Sequence, residues 1–261
     1  EVEIASDTPD QAELVRRVAG AEVVLLATHL PDGALRAAAG RLRLVSFTGT
    51  GAASYLDLSL ARELGVTVTN VTHYGDQAVA ELTLALMLAA ARDVPAGDRA
   101  VRSGDWAGWS GRELAGSRLA LLGFGGIGRA VARLGVAVGM EVRAWDRLVD
   151  AAAMAELGVE AVTWEEAFAW ADVLSLHLPL TEQTRGLITG AELDRLRPGS
   201  ILVNTARGEI LAPGALAARL ARGDVRAAVD VFDPEPLPAD DALLAAPGTV
   251  FTPHLGFRTP A

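Results

Sequence analysis

Three polar side chains stand shortly after apolar runs of the sequence: Arg207 follows ILVN, Glu235 follows AAVDVF, and His254 follows TVF. A guanidinium can hold a carboxylate through two parallel hydrogen bonds. An imidazole can pass a proton to or from a carbonyl or alcohol oxygen, and a neighbouring carboxylate selects the imidazole tautomer and favours its protonated form. Together, the three side chains predict acid–base chemistry on a small carboxylic acid.

Each of these side chains also has a simpler interpretation when it is taken alone. Arg207 could be a solvated residue at a helix start, Glu235 a surface acid in a proline-rich loop, and His254 a hydrogen-bonded histidine at a strand end. Functional arginines and histidines are a minority in proteins. The chemical interpretation therefore depends on a fold that brings the three residues to one place.

The stretch from residue 119 to residue 146 predicts such a fold. It has the pattern of a strand at 119–122, a glycine turn, a helix at 127–138 and a second strand at 141–145. A glycine-rich turn alone also serves as a plain connector, but this strand–helix–strand order favours a Rossmann-type dinucleotide site. Ligands of such sheets bind outside the carboxyl ends of the strands, which is where Arg207, Glu235 and His254 would lie.

Each glycine of the turn has an expected task. Gly123 would permit the tight turn, Gly125 would let the backbone approach a pyrophosphate, and Gly128 would let helix and strand pack closely. The pyrophosphate would lie at the helix N-terminus beside Gly126 and Ile127, where free N–H groups and the helix dipole favour an anion.

Asp146 ends the second strand, eighteen residues beyond Gly128. A carboxylate there would accept hydrogen bonds from the adenosine ribose and would repel a 2′-phosphate. Asp146 could instead be an ordinary turn residue, and the adjacent Arg147 could accommodate a 2′-phosphate. The sequence thus favours NAD over NADP and leaves NADP open.

The composition narrows the class of protein. A chain of 261 residues, 51% of them hydrophobic, is long enough for two α/β domains. The formal net charge of −10, with no basic stripe, argues against a nucleic acid or an anionic membrane as partner. There is no cysteine and no lysine, which excludes thiol nucleophiles, cysteine-held metals and Schiff-base chemistry, and no metal is expected. The N-terminal residues lack a signal-peptide pattern, so we expect a cytoplasmic protein.

The remaining patterns predict two α/β domains of different size. Strands predicted at 22–27, 42–47 and 66–69 form a small βα domain, and its first helix would start at Thr8 and Pro9. Residues 78–91 are apolar on nearly every face, which predicts a helix buried between domains or subunits. Beyond Asp146, strands at 172–176, 200–204, 226–230 and 249–251 would continue one doubly wound parallel sheet.

Several motifs, in this order, resemble the D-isomer-specific 2-hydroxyacid dehydrogenase family. Residues 111–146 resemble its cofactor motif, HLPLTEQTRGLI its adenine-side loop, ILVNTARGEI its arginine segment, AAVDVFDPEPLP its acid segment, and TPHLG its histidine segment. The resemblance implies a flavodoxin-like substrate domain at 1–90, incomplete at its N-terminus, and an NAD-binding Rossmann domain at 91–254, with a cleft between them. Residues 255–261 would start a truncated return segment.

The resemblance also assigns roles to single residues. Arg207 would bind the substrate carboxylate, Glu235 would assist the histidine, and His254 would be the acid/base. Cofactor contacts are implied for His177 and Pro179 on the adenine side, and for Thr205, Ala206 and Asp230 on the nicotinamide side. Substrate contacts are implied for Thr50, Gly51, Ala52 and Tyr74.

Some of these positions keep alternatives, since residues 48–53 could be a plain glycine turn, Asp230 a turn acid and His177 a structural residue. Family members often carry a basic side chain where this chain has Gly126, so one pyrophosphate contact would be absent.

The function implied is an NAD-dependent oxidoreductase that interconverts a 2-oxo acid and a D-(2R)-hydroxy acid, as a homodimer built around the cofactor domains. An NAD(H)-sensing binding protein of the corepressor type is an alternative, because such proteins keep the same three residues. A truncated, inactive relative is another, because relatives begin and end with segments that this chain lacks. Turnover of a 2-oxo acid would distinguish the enzyme from both.

Overall fold

The computed structural model describes residues 2–4 and 10–260. The chain forms two compact units, Glu1–Tyr74 and Gly75–Ala261. Both are α/β units with parallel sheets, which confirms the predicted fold class. The boundary falls before helix α4 (Asp76–Arg92), not after residue 90 as predicted, because α4 packs into the core of the second unit.

The first unit is a three-stranded parallel sheet in the order β1-β2-β3. Its elements are α1 (Gln11–Val18), β1 (Val23–Leu26), α2 (Asp32–Ala37), β2 (Leu44–Phe47), α3 (Leu58–Glu63) and β3 (Thr67–Asn70). The three strands form where the apolar runs predict them. Asp10 caps α1 by accepting a hydrogen bond from the N–H of Glu13, whereas the predicted cap Thr8 and the following Pro9 lie outside the described residues.

The second unit contains a seven-stranded parallel sheet in the order β10-β9-β8-β7-β4-β5-β6. Its strands are β4 (Arg118–Leu122), β5 (Glu141–Trp145), β6 (Glu160–Ala161), β7 (Val173–Leu176), β8 (Ile201–Asn204), β9 (Arg226–Val229) and β10 (Thr249–Phe251). The chain runs outward from β4 to β6 and then returns to build the other half from β7. The strand order therefore reverses between β4 and β7, which is where such sheets bind ligands.

Helices cover both faces of this sheet. After α4 come α5 (Val94–Arg102), α6 (Gly126–Ala137), α7 (Ala151–Glu156), α8 (Trp164–Trp170), α9 (Gly190–Leu193) and α10 (Ala215–Leu220). Leu119 and Leu121 of β4 lie in one core, and Ala120 and Leu122 lie in the other. Such burial on both faces explains why this strand is apolar at every position from 119 to 122.

Helix α4 is buried on one side in the single chain, and its predicted burial between domains or subunits stays a prediction for the other side. Ala80, Met87 and Ala90 pack into the core of the second unit, but Ala85 and Leu88 on its other side are exposed in the chain. Within the described part of the chain, no helix combines the length and the apolar character that a membrane crossing requires.

Candidate active site

The glycine turn lies at the reversal point of the second sheet, between the ends of β4 and β7. Gly123 has φ +104°, and a Cβ there would lie 2.5 Å from the carbonyl oxygen of His177. A Cβ at Gly128 would lie 2.2 Å from the carbonyl oxygen of Gly123. Any side chain at either position would collide with the backbone, so both glycines are needed for the close packing of turn and helix.

The space beside Gly125 is open instead. A Cβ added there would meet no atom within 4 Å, and Gly125 caps α6 without a side-chain hydrogen bond. The first N–H groups of a helix have no partner within the helix, and they carry the positive end of its dipole. Open space next to a helix N-terminus fits the pyrophosphate of a dinucleotide, as expected for the start of α6 at Gly126 and Ile127.

Asp146 is fixed beside this turn by two backbone groups. Its Oδ2 accepts a hydrogen bond from the N–H of Phe124 at 2.7 Å, and its Oδ1 accepts one from the N–H of Leu148 at 2.9 Å. An ionised carboxylate has about four acceptor positions, so these two bonds leave capacity for ribose hydroxyls. The arrangement is that of a carboxylate held in place to favour a ribose over a 2′-phosphate. Arg147 is exposed next to it.

The carboxylate of Asp76 explains the glycine at position 126. A Cβ on Gly126 would lie 1.9 Å from Oδ2 of Asp76, at the start of α4. The basic side chain that relatives often carry there would therefore fit only if Asp76 moved.

His177 directly follows β7 and supports the glycine turn with its backbone. Its Nε2 lies 2.9 Å from Oγ of Ser175. Burial lowers the pKa of His177 to about 3, so the ring is neutral at neutral pH. These contacts agree with a structural role for the ring. Pro179 is exposed, and its carbonyl accepts a hydrogen bond from the hydroxyl of Thr184 at 2.6 Å.

The predicted acid–base pair meets after β9 and β10. Nδ1 of His254 lies 2.7 Å from Oε2 of Glu235, and Oε1 of Glu235 accepts a hydrogen bond from the N–H of Phe232 at 2.9 Å. Burial alone would raise the pKa of Glu235, but the hydrogen bonds from His254 and Phe232 and the charges of His254 and Arg207 outweigh it and lower this pKa. Glu235 is thus ionised, and Nε2 is the ring nitrogen of His254 that does not bond to it.

Arg207 follows β8, which is parallel to β9 and β10, so it lies at the same edge of the sheet as Glu235 and His254. Its charge contributes to the lowered pKa of Glu235. The buried side chain of Asn204 shapes the turn between strand and arginine: its Oδ1 accepts from the N–H of Ala206 at 3.0 Å, and its Nδ2 donates to the carbonyl of Arg207 at 2.9 Å. The sequence analysis missed Asn204, and a polar residue ending an apolar strand is the signal that could have found it.

Asp230 holds the turn that carries His254. Its carboxylate is only 1% exposed and accepts hydrogen bonds from the hydroxyl of Thr252 at 2.5 Å and from the N–H groups of Leu255 and Gly256 at 2.8 and 2.9 Å. His254 itself has φ +52°, which is uncommon for a residue other than glycine. These bonds show Asp230 as a turn-forming acid, and its expected contact to a nicotinamide stays a prediction.

Thr205 and Ala206 occupy the strand end between Asn204 and Arg207. The hydroxyl of Thr205 is buried and contacts the hydroxyl of Thr83 on α4 at 2.8 Å.

The expected substrate loop lies in the first unit and follows β2. The carbonyl of Thr50 accepts a hydrogen bond from Nδ2 of Asn70 at 2.5 Å, Gly51 precedes a 3₁₀ turn, and Ala52 is buried in that turn. Tyr74 ends the unit and is 47% exposed. The approach of these residues to Arg207 stays a prediction.

The chain is similar to known proteins along most of its length. Residues 84–256 match the family model described as "D-isomer specific 2-hydroxyacid dehydrogenase, NAD binding domain". The chain is 40% identical over 244 residues to a glyoxylate reductase from Aeropyrum pernix, covering 90% of this chain and 72% of the relative. It is 38% identical over 257 residues to a D-3-phosphoglycerate dehydrogenase from Mycobacterium bovis, covering 97% of this chain.

The match covers 48% of that phosphoglycerate dehydrogenase, so the chain spans about half the length of such relatives. A crystal structure of D-lactate dehydrogenase from Aquifex aeolicus, complexed with NAD and lactic acid, superimposes with a TM-score of 0.84 at 27% identity and covers 94% of this chain and 79% of the other. The chain belongs to the D-isomer-specific 2-hydroxyacid dehydrogenase family, and its second unit contains that family's NAD-binding domain.

Proposed function

We propose that this chain interconverts a 2-oxo acid and a D-(2R)-hydroxy acid with NAD as the cofactor. The observation that carries the proposal is the 2.7 Å contact between Nδ1 of His254 and Oε2 of Glu235 on the side of the sheet where Arg207 lies. An ionised carboxylate at Nδ1 fixes the tautomer of the imidazole and leaves Nε2 to exchange a proton with a substrate, as acid–base catalysis requires.

The three side chains have distinct tasks in this reaction. Arg207 binds the substrate carboxylate through paired hydrogen bonds, which orients the adjacent carbonyl carbon. His254 donates the proton at Nε2 to the carbonyl oxygen during reduction and removes it from the hydroxyl during oxidation. Glu235 keeps the proton on Nδ1 and so fixes the tautomer and the orientation of the ring. NADH, when it is bound, supplies the hydride.

The second unit has the groups that hold this cofactor. The N–H groups at Gly126 and Ile127 face the pyrophosphate, and Asp146 accepts from the ribose hydroxyls. Asp230 accepts from the carboxamide of the nicotinamide with its remaining capacity. His177 and Pro179 border the adenine side, and Thr205 and Ala206 border the nicotinamide side.

In this proposal, residues of the first unit also contribute to substrate binding. Backbone N–H groups at Thr50, Gly51 and Ala52 assist Arg207 with the carboxylate, and Tyr74 borders the pocket. The names of two relatives, a glyoxylate reductase and a hydroxypyruvate reductase, support a small 2-oxo acid as the substrate class.

We also propose a homodimer formed through the cofactor-binding unit and located in the cytoplasm. Large apolar side chains cluster in the segment around α5 and are exposed in the single chain: Val94, Val101, Trp106 and Trp109. Clustered exposed apolar residues mark interaction surfaces. Sedimentation equilibrium should give twice the chain mass, and replacing Trp106 and Trp109 by Ser should shift the protein toward the monomer. Cell fractionation would test the location.

The catalytic proposal is tested by the loss of NADH absorbance with a panel of 2-oxo acids: glyoxylate, pyruvate, hydroxypyruvate, and branched and aromatic examples. NADPH serves as the parallel cofactor control. Turnover of any member supports the proposal, and the relative rates across the panel show which size of substrate side chain the pocket accepts. NADH binding without turnover would favour the sensing protein, and absence of both would favour an inactive relative.

A further inference from the structure

A buried pair of hydroxyl groups connects α4 to the loop that carries Arg207. Thr83 of α4 is 0% exposed and Thr205 is 7% exposed, and their Oγ1 atoms are 2.8 Å apart. The two residues are 122 positions apart in the chain, so the fold alone brings them together. Thr83 has no part in the function proposed above.

The geometry settles the direction of the hydrogen bonds. Oγ1 of Thr83 also lies 2.7 Å from the carbonyl oxygen of Val79, which can only accept. A threonine hydroxyl has one proton, so the proton of Thr83 must lie on the bond to Val79. Two oxygens 2.8 Å apart without a proton between them would repel each other, so Thr205 must donate its own proton to Thr83.

This direction has a consequence for Thr205. Its proton points toward α4, so its oxygen offers only lone pairs to any other group. Among the described residues, no further hydrogen bond reaches this oxygen. Thr205 thus behaves as an obligate acceptor at the end of β8, next to Ala206 and Arg207.

We propose that Thr83 is a positioning residue that makes Thr205 an acceptor for the carboxamide N–H₂ of the nicotinamide. This inference rests on the proposed function, which puts Thr205 on the nicotinamide side. The carboxamide has both a donor and an acceptor end, so a fixed acceptor in the protein selects one orientation of the ring. With Thr83 absent, the hydroxyl of Thr205 could turn its proton outward, and the selection would then depend on the carboxylate of Asp230 alone.

The test compares the dissociation constants of NADH and ADP-ribose, because ADP-ribose lacks the nicotinamide. Thr83→Val removes the hydroxyl while keeping the side-chain shape. We expect this variant to raise the dissociation constant of NADH about 3- to 10-fold, which is the range of one net hydrogen bond. The dissociation constant of ADP-ribose should not change. Thr83→Ser keeps the hydroxyl and should bind both ligands like the wild type.

Two further variants complete the design. Thr205→Val should cause the same loss as Thr83→Val, and the double variant should lose no more than either single one. Ser200→Ala is the matched control, because it removes a buried hydroxyl bonded to the carbonyl of Ala171 at the opposite end of β8. It should not change the ratio of the two dissociation constants.

The outcomes separate this inference from the proposed function. An equal weakening of NADH and ADP-ribose, or no change in either, would overturn the role of Thr83. If Thr83→Val does not fold, Thr83→Ala takes its place in the same comparison with Thr83→Ser. Failure of the wild type to bind NADH would overturn the proposed function itself, and the inference with it.

Discussion

Alanine substitutions at Gly125 and Gly128 should separate cofactor binding from folding. Gly125 has φ −74° and ψ −162°, which any residue can adopt, and a Cβ there meets nothing within 4 Å. A Cβ at Gly128 would lie 2.2 Å from the carbonyl oxygen of Gly123. The first methyl group would enter the space of the pyrophosphate, whereas the second would push helix α6 away from the turn.

The structure sets the size of both effects. An ordinary contact starts at 3.4 Å, so Gly128→Ala requires two backbone segments to separate by about 1 Å. Overpacking of this kind costs about 1–3 kcal/mol, which corresponds to about 2–12 °C in Tm at this domain size. Gly125→Ala replaces a helix N-cap and should cost less than about 1 kcal/mol. Its NADH affinity should fall by at least about tenfold, or 1.4 kcal/mol.

The assay pairs thermal unfolding of the ligand-free protein with a titration of NADH fluorescence. Gly190→Ala is the control, because a Cβ at this first residue of α9 also meets open space but lies outside the glycine turn. It should change neither Tm nor affinity. An equal loss of Tm at Gly125 and Gly128, or a Gly125→Ala variant that binds NADH like the wild type, would refute the division of tasks.

Three further outcomes are expected. His254→Ala should lower kcat by about two to four orders of magnitude without changing the NADH dissociation constant, and retained turnover would remove His254 from its role. Arg207→Lys should raise KM for the 2-oxo acid, because lysine lacks the paired donors; unchanged kinetics would contradict this placement. His177, with a folded pKa of about 3 against 6.5 when unfolded, makes the unfolded state bind more protons between these values. The free energy of unfolding should therefore fall as the pH drops from 6.5 toward 3, by about 1 kcal/mol between pH 6.5 and pH 5.5. Urea unfolding of His177→Gln should not show this loss.

The sequence predicted the elements that have a strong apolar pattern. The strands at 141–145 and 249–251 have the predicted bounds. Helix α5 was not predicted, because it contains Pro95 and Gly97 and has no buried residue from which a stripe could be recognised. Strand β6 has two exposed residues and gives no pattern either.

The domain boundary shows what an apolar pattern cannot tell. Residues 78–91 were recognised as a buried helix, but burial does not name the surface against which a helix packs. Met87 and Ala90 belong to the core built on β4 and α6, and this moves α4 into the second unit. Only contacts distant in sequence could decide this, and they become visible only in the folded chain.

The three polar residues at the strand ends were predictable, but the residues that hold them were not. The side chain of Asn204 forms hydrogen bonds within the turn before Arg207, and that of Asp230 accepts hydrogen bonds from the turn around His254. The hydroxyl of Thr83 forms a hydrogen bond with that of Thr205. Each of these bonds joins groups whose proximity depends on the order of strands and helices, and a single sequence does not contain that order. A protein that keeps the arginine, the acid and the histidine can therefore lose its catalytic activity when one of these buried supporting residues changes. The reason is that a displacement of an acid–base group by about 1 Å lowers the reaction rate strongly. That is also why catalytic and sensing proteins can share the same three residues.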